Sequence, residues 1–357
     1  MDVFDWVGEK LREYRDKGDR ERFDLARVRT RNYGLRDTNV DAYLQALRDA
    51  ATQARLLEEP YWALFYDTFF LEGMLHDKKD YREALDMAAR CVLEVRKPMY
   101  RAWPGRFVIY NIALLAYIGV DPWGYSKAIQ ELLDALDKEV PPEPNHDRMV
   151  ATLQRCTFLM ELERWEEAQQ LCIDLYPHAA EFGSEGYLYS IMLHLCFIEY
   201  FRGNWEGLFP YPDILEAISK EGHDHKLQLA ESLAWRAALA RHRGNEEMAL
   251  RRYRSAEVRL SRLTAPPTSG YFQAVVAYHE QGADWEQALI VRDRELAIVA
   301  PTGQFHYECL IRTDRCRILQ KLGLPIGEAI AQTREAASRL REPGYILAKV
   351  DRIAASG

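Results

Sequence analysis

The sequence predicts an all-α fold in which antiparallel helical hairpins repeat along the chain. Three observations support this prediction: residues of high helix propensity are abundant, apolar residues recur at helical spacing over stretches of about 15 residues, and one short motif returns about every 40 residues. The 357 residues are 48% hydrophobic and include only 20 glycines, which is enough apolar material for a large core. We expect a helix content above roughly 70% and essentially no strand.

The repeat motif consists of a turn residue, an aromatic residue, two mostly polar residues and a small residue, often followed by Leu. It occurs at 80–85, 164–168, 204–208, 245–250 and 284–289, although the 245–250 copy has Glu in place of the aromatic residue, and degenerate copies lie at 125–129 and 326–330. Its small or Leu positions are Ala84, Ala128, Ala168, Leu208, Ala249, Ala288 and Ala329. Successive positions are 39 to 44 residues apart, so a chance origin is improbable.

Each copy of the motif has the chemistry of a helix start. Asp80, Asn204, Asn245 and Asp284 are predicted N-caps, because their side-chain oxygens can accept hydrogen bonds from the free amides of a first turn. The aromatic residue can cover the joint between two helices, and the small residue lets a partner helix approach closely. An apolar periodic stretch precedes the motif, for example 61–75, 149–162 and 187–201, so each unit is predicted to be a helix, a tight turn and a second helix.

This motif resembles that of the tetratricopeptide repeat (TPR) family, whose hairpins carry a small residue early in the second helix and an aromatic residue before it. The resemblance covers about residues 61–341 and is strongest around Ala84, Ala168, Ala249 and Ala288. It implies a right-handed α-α superhelix (solenoid) of about seven TPR-like hairpins whose first helices line a concave face. Two features depart from the family: the steps exceed 34 residues, and the glycine expected midway along the first helix is mostly replaced.

The array is predicted to be flanked by capping segments. Residues 1–60 lack the repeat motif and are predicted to form N-terminal capping helices or a divergent first hairpin, with helices over 2–17 and 38–57. Residues 61–341 form the TPR-like array, and 342–357 form a C-terminal capping helix after Pro343 and Gly344.

Prolines interrupt the array at three places. The stretches 141–145 and 264–268 fall between units and are predicted to be long loops within one array. Pro210 and Pro212 fall at the start of a second helix, so we expect that helix to be distorted.

The charge and the cysteines indicate which partners and which cellular compartment to expect. A net charge of −8 argues against bulk nucleic-acid binding, although arginines crowd 20–36 and 241–262. These arginines are predicted to lie on solvated helix faces or, alternatively, to form a docking surface for acidic segments of a partner. The six cysteines have no CxxC spacing and are predicted to be buried free thiols of a reducing compartment. Since neither a secretory leader nor a membrane span is recognisable, we expect a cytoplasmic protein.

The sequence carries no recognisable motif for catalysis or metal binding. The sequence has no glycine-rich phosphate loop, GxSxG elbow, HExxH or EF-hand loop, so we expect no enzymatic activity and no cofactor. The segment 221–225 holds two histidines and two carboxylates, but neighbouring loop residues rarely close a metal site, and an exposed turn explains it better.

The first helices carry more aromatic and polar residues than a hidden core requires. Amide side chains can pair with the backbone of an extended peptide, and aromatic side chains can form pockets for its side chains. Packing between repeats is the alternative explanation for each of these residues. The candidate partner-binding residues on the predicted concave face are Tyr66, Phe70, Asn111, Gln154, His194, Phe197, Trp235, Gln273 and Arg315.

These observations predict a protein- or peptide-binding scaffold or adaptor, whose partner is another protein or an extended peptide. One alternative is a regulatory receptor whose superhelix changes shape when a small peptide or metabolite binds. A second alternative is an enzyme hidden in a helical-repeat fold.

Overall fold

Helices make up 83% of the computed structural model. The model describes residues 3–140, 145–221, 226–263 and 266–356, and these residues contain no β-strand. The predicted all-α class and helix content are therefore confirmed. Within the same residues, no helix is both long and apolar enough to cross a membrane.

The chain forms two compact units. Unit 1 comprises Met1–Val120, Tyr125–Val140 and Thr302–Gln304. Its α-helices are α1 Val3–Lys17, α2 Arg20–Ala26, α3 Val28–Asn32, α4 Leu35–Thr38, α5 Val40–Leu56, α6 Pro60–Gly73, α7 Tyr81–Val95, α8 Gly105–Val120 and α9 Ser126–Glu139. A π-helical turn, Met74–Lys78, extends α6, and a 3-10 turn, Pro98–Tyr100, follows α7. The N-terminal arginine-rich segment, 20–36, therefore lies in the three short helices α2, α3 and α4.

Unit 2 comprises Asp121–Gly124, Pro141–Pro301 and Phe305–Gly357. Its α-helices are α10 His146–Glu161, α11 Trp165–Phe182, α12 Glu185–Phe201, α13 Trp205–Leu208, α14 Tyr211–Glu221, α15 Lys226–His242, α16 Glu246–Leu260, α17 Ser269–Gln281, α18 Trp285–Val299, α19 Phe305–Lys321, α20 Gly327–Ala337 and α21 Gly344–Ala355. A 3-10 turn, Ala300–Thr302, follows α18. The chain changes from unit 1 to unit 2 at 140–141, beside the stretch 141–145 that the sequence predicts to be a loop within one array, and it changes unit again at both ends of Asp121–Gly124 and of Thr302–Gln304.

The helices pack in chain order as first and second helices of hairpins. We call α6, α8, α10, α12, α15, α17 and α19 the first helices, and each is followed by a second helix against which it packs. First helices also contact one another in the pairs α6–α8, α10–α12 and α15–α17. The number of true repeats and the handedness of a superhelix stay predictions.

The four predicted N-caps are confirmed. The side chain of Asp80 accepts a hydrogen bond from the amide of Glu83, and Asn204, Asn245 and Asp284 cap α13, α16 and α18 in the same way. The degenerate copies at 125–129 and 326–330 have no side-chain cap, which agrees with the hydrophobic or aromatic residues at their cap positions.

The aromatic residue of the motif packs on the first helix of the following hairpin. Trp165 stacks on Phe201 with ring centroids 5.6 Å apart, and Trp205 stacks on His242 at 4.8 Å. In unit 1 the Tyr81 ring lies so close to Gly119 that a Cβ atom there would come within 2.4 Å of it. The motif therefore joins neighbouring hairpins as well as starting a helix.

The small residues of the motif are mostly buried. Ala84, Ala168, Leu208, Ala249 and Ala288 are completely buried, and Ala329 is 7% exposed. Ala128 is half-buried, and the next residue, Ile129, is the fully buried one in that degenerate copy.

The predicted distortion at Pro210 is confirmed. The second helix that begins at Trp205 ends at Leu208, and the chain starts a new helix at Tyr211. This second helix is thereby divided into α13 and α14, between the first helices α12 and α15.

Candidate peptide-binding surface

Most of the nine candidate partner-binding residues lie inside the helix packing. His194, Phe197 and Arg315 keep partial exposure. The buried ones are Tyr66, Phe70, Asn111, Gln154, Trp235 and Gln273. A first helix contacts its own second helix and its neighbours, so fewer of its positions reach solvent than a single hairpin would allow. The role of the nine residues in partner binding stays a prediction.

Tyr66 and Phe70 have structural contacts that account for them. The Tyr66 hydroxyl donates a hydrogen bond to the Leu25 carbonyl, which fastens α6 to α2. The Arg48 guanidinium lies 4.4 Å from the centre of the Phe70 ring, a cation–π contact between α5 and α6. Both side chains therefore hold unit 1 together.

Gln273 belongs to a buried ionic cluster around Arg292. Arg292 is 4% exposed and donates hydrogen bonds to Gln273 at 2.7 Å, to Asp314 at 2.7 Å and to Glu295 at 2.5 Å. Burial alone would raise the pKa of Asp314, but the charges of Arg292 and Arg317 outweigh it and hold that pKa below its usual value. The cluster ties α17, α18 and α19 together, and Arg315 pairs separately with Asp293.

Sequence reasoning missed this cluster, although a signal was present. Arg292 and Glu295 stand among Ala288, Val291 and Val299, the positions of α18 that face the core. Charged residues at core positions of a helix are rare unless they are paired with each other or with a neighbouring helix. That pattern would have indicated a buried ion pair.

Four of the candidates carry a buried polar atom without a hydrogen-bond partner. These atoms are the side-chain oxygens of Asn111 and Gln154, the Nδ1 atom of His194 and the indole nitrogen of Trp235. Asn111 is on α8 in unit 1, whereas Gln154 and Trp235 are on α10 and α15 in unit 2. A buried donor or acceptor that lacks a partner costs about 1–3 kcal/mol, so such atoms call for an explanation.

In unit 2 two contacts link the three first helices α10, α12 and α15 near these residues. His194 of α12 hydrogen-bonds through Nε2 to the Thr157 hydroxyl of α10 at 3.0 Å. Phe197, one turn further along α12, meets the Trp235 ring of α15 edge-on at 5.9 Å. We call Gln154, Thr157, His194, Phe197 and Trp235 the first-helix surface. Burial lowers the pKa of His194 to about 4, so this surface bears no imidazolium at neutral pH.

A cleft in unit 1 is the main alternative site. It encloses about 730 Å³ between α5, α6 and α7 and includes Arg55, Asp67, Arg90 and Glu94. Asp67 pairs with Arg55, and Glu94 pairs with Lys97 at 2.6 Å and accepts from the Tyr100 hydroxyl at 3.3 Å. None of its lining side chains has a buried polar atom without a partner. The cleft therefore lacks the feature that indicates a missing ligand at the first-helix surface.

The described residues contain no group of three or more His, Cys, Asp or Glu side chains placed to hold a metal ion. Of the candidate segment 221–225, residues 222–225 and the Glu221 side chain lie outside what the structure describes.

The sequence matches no protein-family model and no curated protein. The resemblance to the TPR family therefore rests on the repeat motif itself.

Proposed function

We propose that this chain is a TPR-like helical-repeat protein that binds an extended peptide, or such a segment of another protein, at the first-helix surface of unit 2. The observation that carries the proposal is the pair of unpartnered polar atoms on α10 and α15, the Gln154 oxygen and the Trp235 indole nitrogen.

The two atoms complement an extended backbone. The Gln154 oxygen can accept a hydrogen bond from a peptide N–H, and the Trp235 indole can donate one to a peptide carbonyl. Phe197 contacts the Trp235 ring and is only partly buried, so it can contact an apolar side chain of the peptide. Each new hydrogen bond would also remove the cost of an unpartnered buried group.

Binding requires a small rearrangement, because both atoms are covered in this conformation. The divided second helix, α13 and α14, stands between α12 and α15, so the joint there is less regular than in the other hairpins. Sliding of packed helices is a common response to ligand binding. This feature favours the second candidate function, a receptor whose helix packing changes when the peptide binds.

The experiment is a peptide-display selection against the full chain, followed by calorimetry of the selected peptide with two classes of variant. Gln154→Met keeps the size of the side chain and removes its oxygen. We expect this variant to bind the peptide at least about tenfold more weakly, and to unfold with a free energy about 1 kcal/mol higher than wild type, because the unpartnered oxygen is gone.

The controls are Glu166→Ala and Arg294→Ala, which change exposed residues of the second helices α11 and α18. They should leave affinity unchanged. A peptide that binds Gln154→Met as tightly as wild type, or that loses affinity with the control variants, would show that the first-helix surface is not the site.

A further inference from the structure

The two arginine-rich segments differ in how their charges are neutralised. In the N-terminal segment, Arg22 pairs with Asp19 and Glu59, and Arg36 pairs with Glu72 and Asp77. Arg31 pairs with Asp24, and the Arg29 guanidinium lies 4.1 Å from the centre of the Phe69 ring. Most of this segment is therefore committed to contacts within unit 1.

Helix α16 and the turn after it keep four of their five arginines free. Arg251, Arg254, Arg259 and Arg262 are exposed and have no ion pair among the described residues. Their spacing of three residues places Arg251 and Arg254 on one side of the helix, and Arg262 lies in the turn that follows it.

The nearby carboxylates are already used. Glu257 accepts from the Tyr271 hydroxyl, and Glu246 pairs with Arg241 at 3.3 Å. Glu216 of α14 binds Arg252, Arg236 and Lys220. Of the carboxylates on this side of α16, only Glu247 has no partner among the described residues. This side of the helix therefore keeps a net positive charge in a chain whose total charge is −8.

Aliphatic side chains lie between the free arginines. Leu250 is 40% exposed and Val258 is 49% exposed. Together with Arg251, Arg254 and Ser255 they line a shallow groove of about 450 Å³. Exposed aliphatic residues flanked by unpaired charges are typical of a surface that another protein covers.

We propose that the outer face of α16 docks an acidic amphipathic helix of a partner protein. The apolar side of that helix would cover Leu250 and Val258, and its carboxylates would pair with Arg251, Arg254 and Arg262. Arginine suits this role because its guanidinium can bind a carboxylate through two parallel hydrogen bonds. The aliphatic stripe favours a protein over a nucleic acid, since base stacking requires aromatic side chains and phosphates require no apolar contact. This surface lies on a second helix and is independent of the peptide site proposed above.

The test uses a fluorescent helical peptide of about 20 residues with Leu along one side and Glu flanking it. Fluorescence anisotropy would be measured with the full chain at about 50 and about 300 mM NaCl. We expect binding that weakens at least about fivefold at the higher salt, and a tenfold or greater loss in the double variant Arg251→Glu, Arg254→Glu.

The matched control is Arg12→Glu with Arg15→Glu, which makes the same change of charge on the exposed side of α1. It should bind the peptide within about twofold of wild type. A second variant, Val258→Ser, separates apolar from ionic contacts and should weaken binding without altering its dependence on salt.

Four results would overturn the proposal: no binding of the peptide, equal binding by the α16 double variant, equal binding of a peptide with the same composition in scrambled order, or tighter binding of a single-stranded RNA of about 20 nucleotides. Since the peptide selected for the first-helix surface should bind the α16 double variant normally, a failure here is distinguishable from a failure of the proposed function.

Discussion

A residue in the left-handed backbone region directly precedes the N-cap at every clear copy of the repeat motif. Glycine fills this position at Gly203 and Gly244, whereas Lys79, Glu163 and Ala283 adopt the same conformation at a cost, because a Cβ atom crowds the backbone there. The turn geometry is therefore set by neighbouring packing as well as by the residue itself.

This conformation yields the first prediction. Ala283→Gly should raise the free energy of unfolding by about 0.5–1 kcal/mol, since relief of the left-handed strain exceeds the extra freedom of glycine in the unfolded chain. The reverse change at the equivalent turn, Gly203→Ala, should destabilise by a similar amount, because nothing else lies within 4 Å of the added methyl. Urea denaturation measures both free energies of unfolding. A loss of stability in Ala283→Gly would show that the backbone at Ala283 is not strained.

A buried carboxyl group in α15 gives the second prediction. Glu231 is 1% exposed and accepts a hydrogen bond from the Thr268 hydroxyl at 3.0 Å, and burial raises its pKa to about 7. Two titratable groups that interact with it, Tyr189 and Cys196, have raised pKa values themselves and stay neutral. The folded chain therefore keeps this proton to about pH 7, whereas the unfolded chain loses it near pH 4.5.

Between these values the unfolded state binds fewer protons, so the contribution of Glu231 to stability falls as pH rises. Relative to Glu231→Gln, wild type should lose on the order of 3 kcal/mol between about pH 5 and about pH 8. Urea denaturation of both proteins across this range is the measurement, and parallel pH profiles would show that Glu231 titrates normally.

At the scale of the helix, the third prediction concerns the small residue of the repeat motif. Ala288 is completely buried in α18, so Ala288→Leu should overpack the helix packing there and cost about 1–3 kcal/mol. Ala297→Leu, at an exposed position of the same helix, should change stability by less than about 0.5 kcal/mol. Hydrogen exchange should rise first in α17 and α19, and protection that stays unchanged there would contradict the packing account.

The starts of the helices could be predicted from the sequence, but the burial of residues on the first helices could not. The difference lies in how far along the chain the interacting groups are. The cap at Asp284 requires only its own side chain and the amide of the residue three positions later, so both partners can be read from the local sequence. The surroundings of Gln273 depend on Arg292 and on Asp314, which the fold brings from other helices. Exposure of a first-helix residue is thus a property of three helices together, and one helical pattern cannot determine it.

At the scale of the whole molecule, the fourth prediction concerns the six cysteines. All six are buried and free, and burial raises the pKa of Cys91 and of Cys309 to about 12. A thiol with a raised pKa and no solvent access has little reactive thiolate. A colorimetric thiol reagent should therefore modify no cysteine of the native protein within minutes and all six in urea, whereas one fast native thiol would reveal an opening that this structure lacks.

Two surfaces of unit 2 now have separate expected partners. The first-helix surface holds unpartnered neutral polar atoms, and the outer face of α16 holds unpaired cations. An adaptor that binds two different segments requires such chemically distinct sites, because each then excludes the partner of the other.

Peptide binding at the first-helix surface is measured most directly by following the nitrogen–proton resonance of the Trp235 indole while the selected peptide is added. This resonance is assigned from its disappearance in Trp235→Phe. Trp103, whose indole nitrogen is also buried without a partner but lies in unit 1, serves as the internal control. If the peptide binds at the first-helix surface, the Trp235 signal shifts downfield with the affinity found by calorimetry, since its proton gains an acceptor, and Trp103 does not move. A Trp235 signal that stays in place at saturation would show that the peptide does not bind at the first-helix surface.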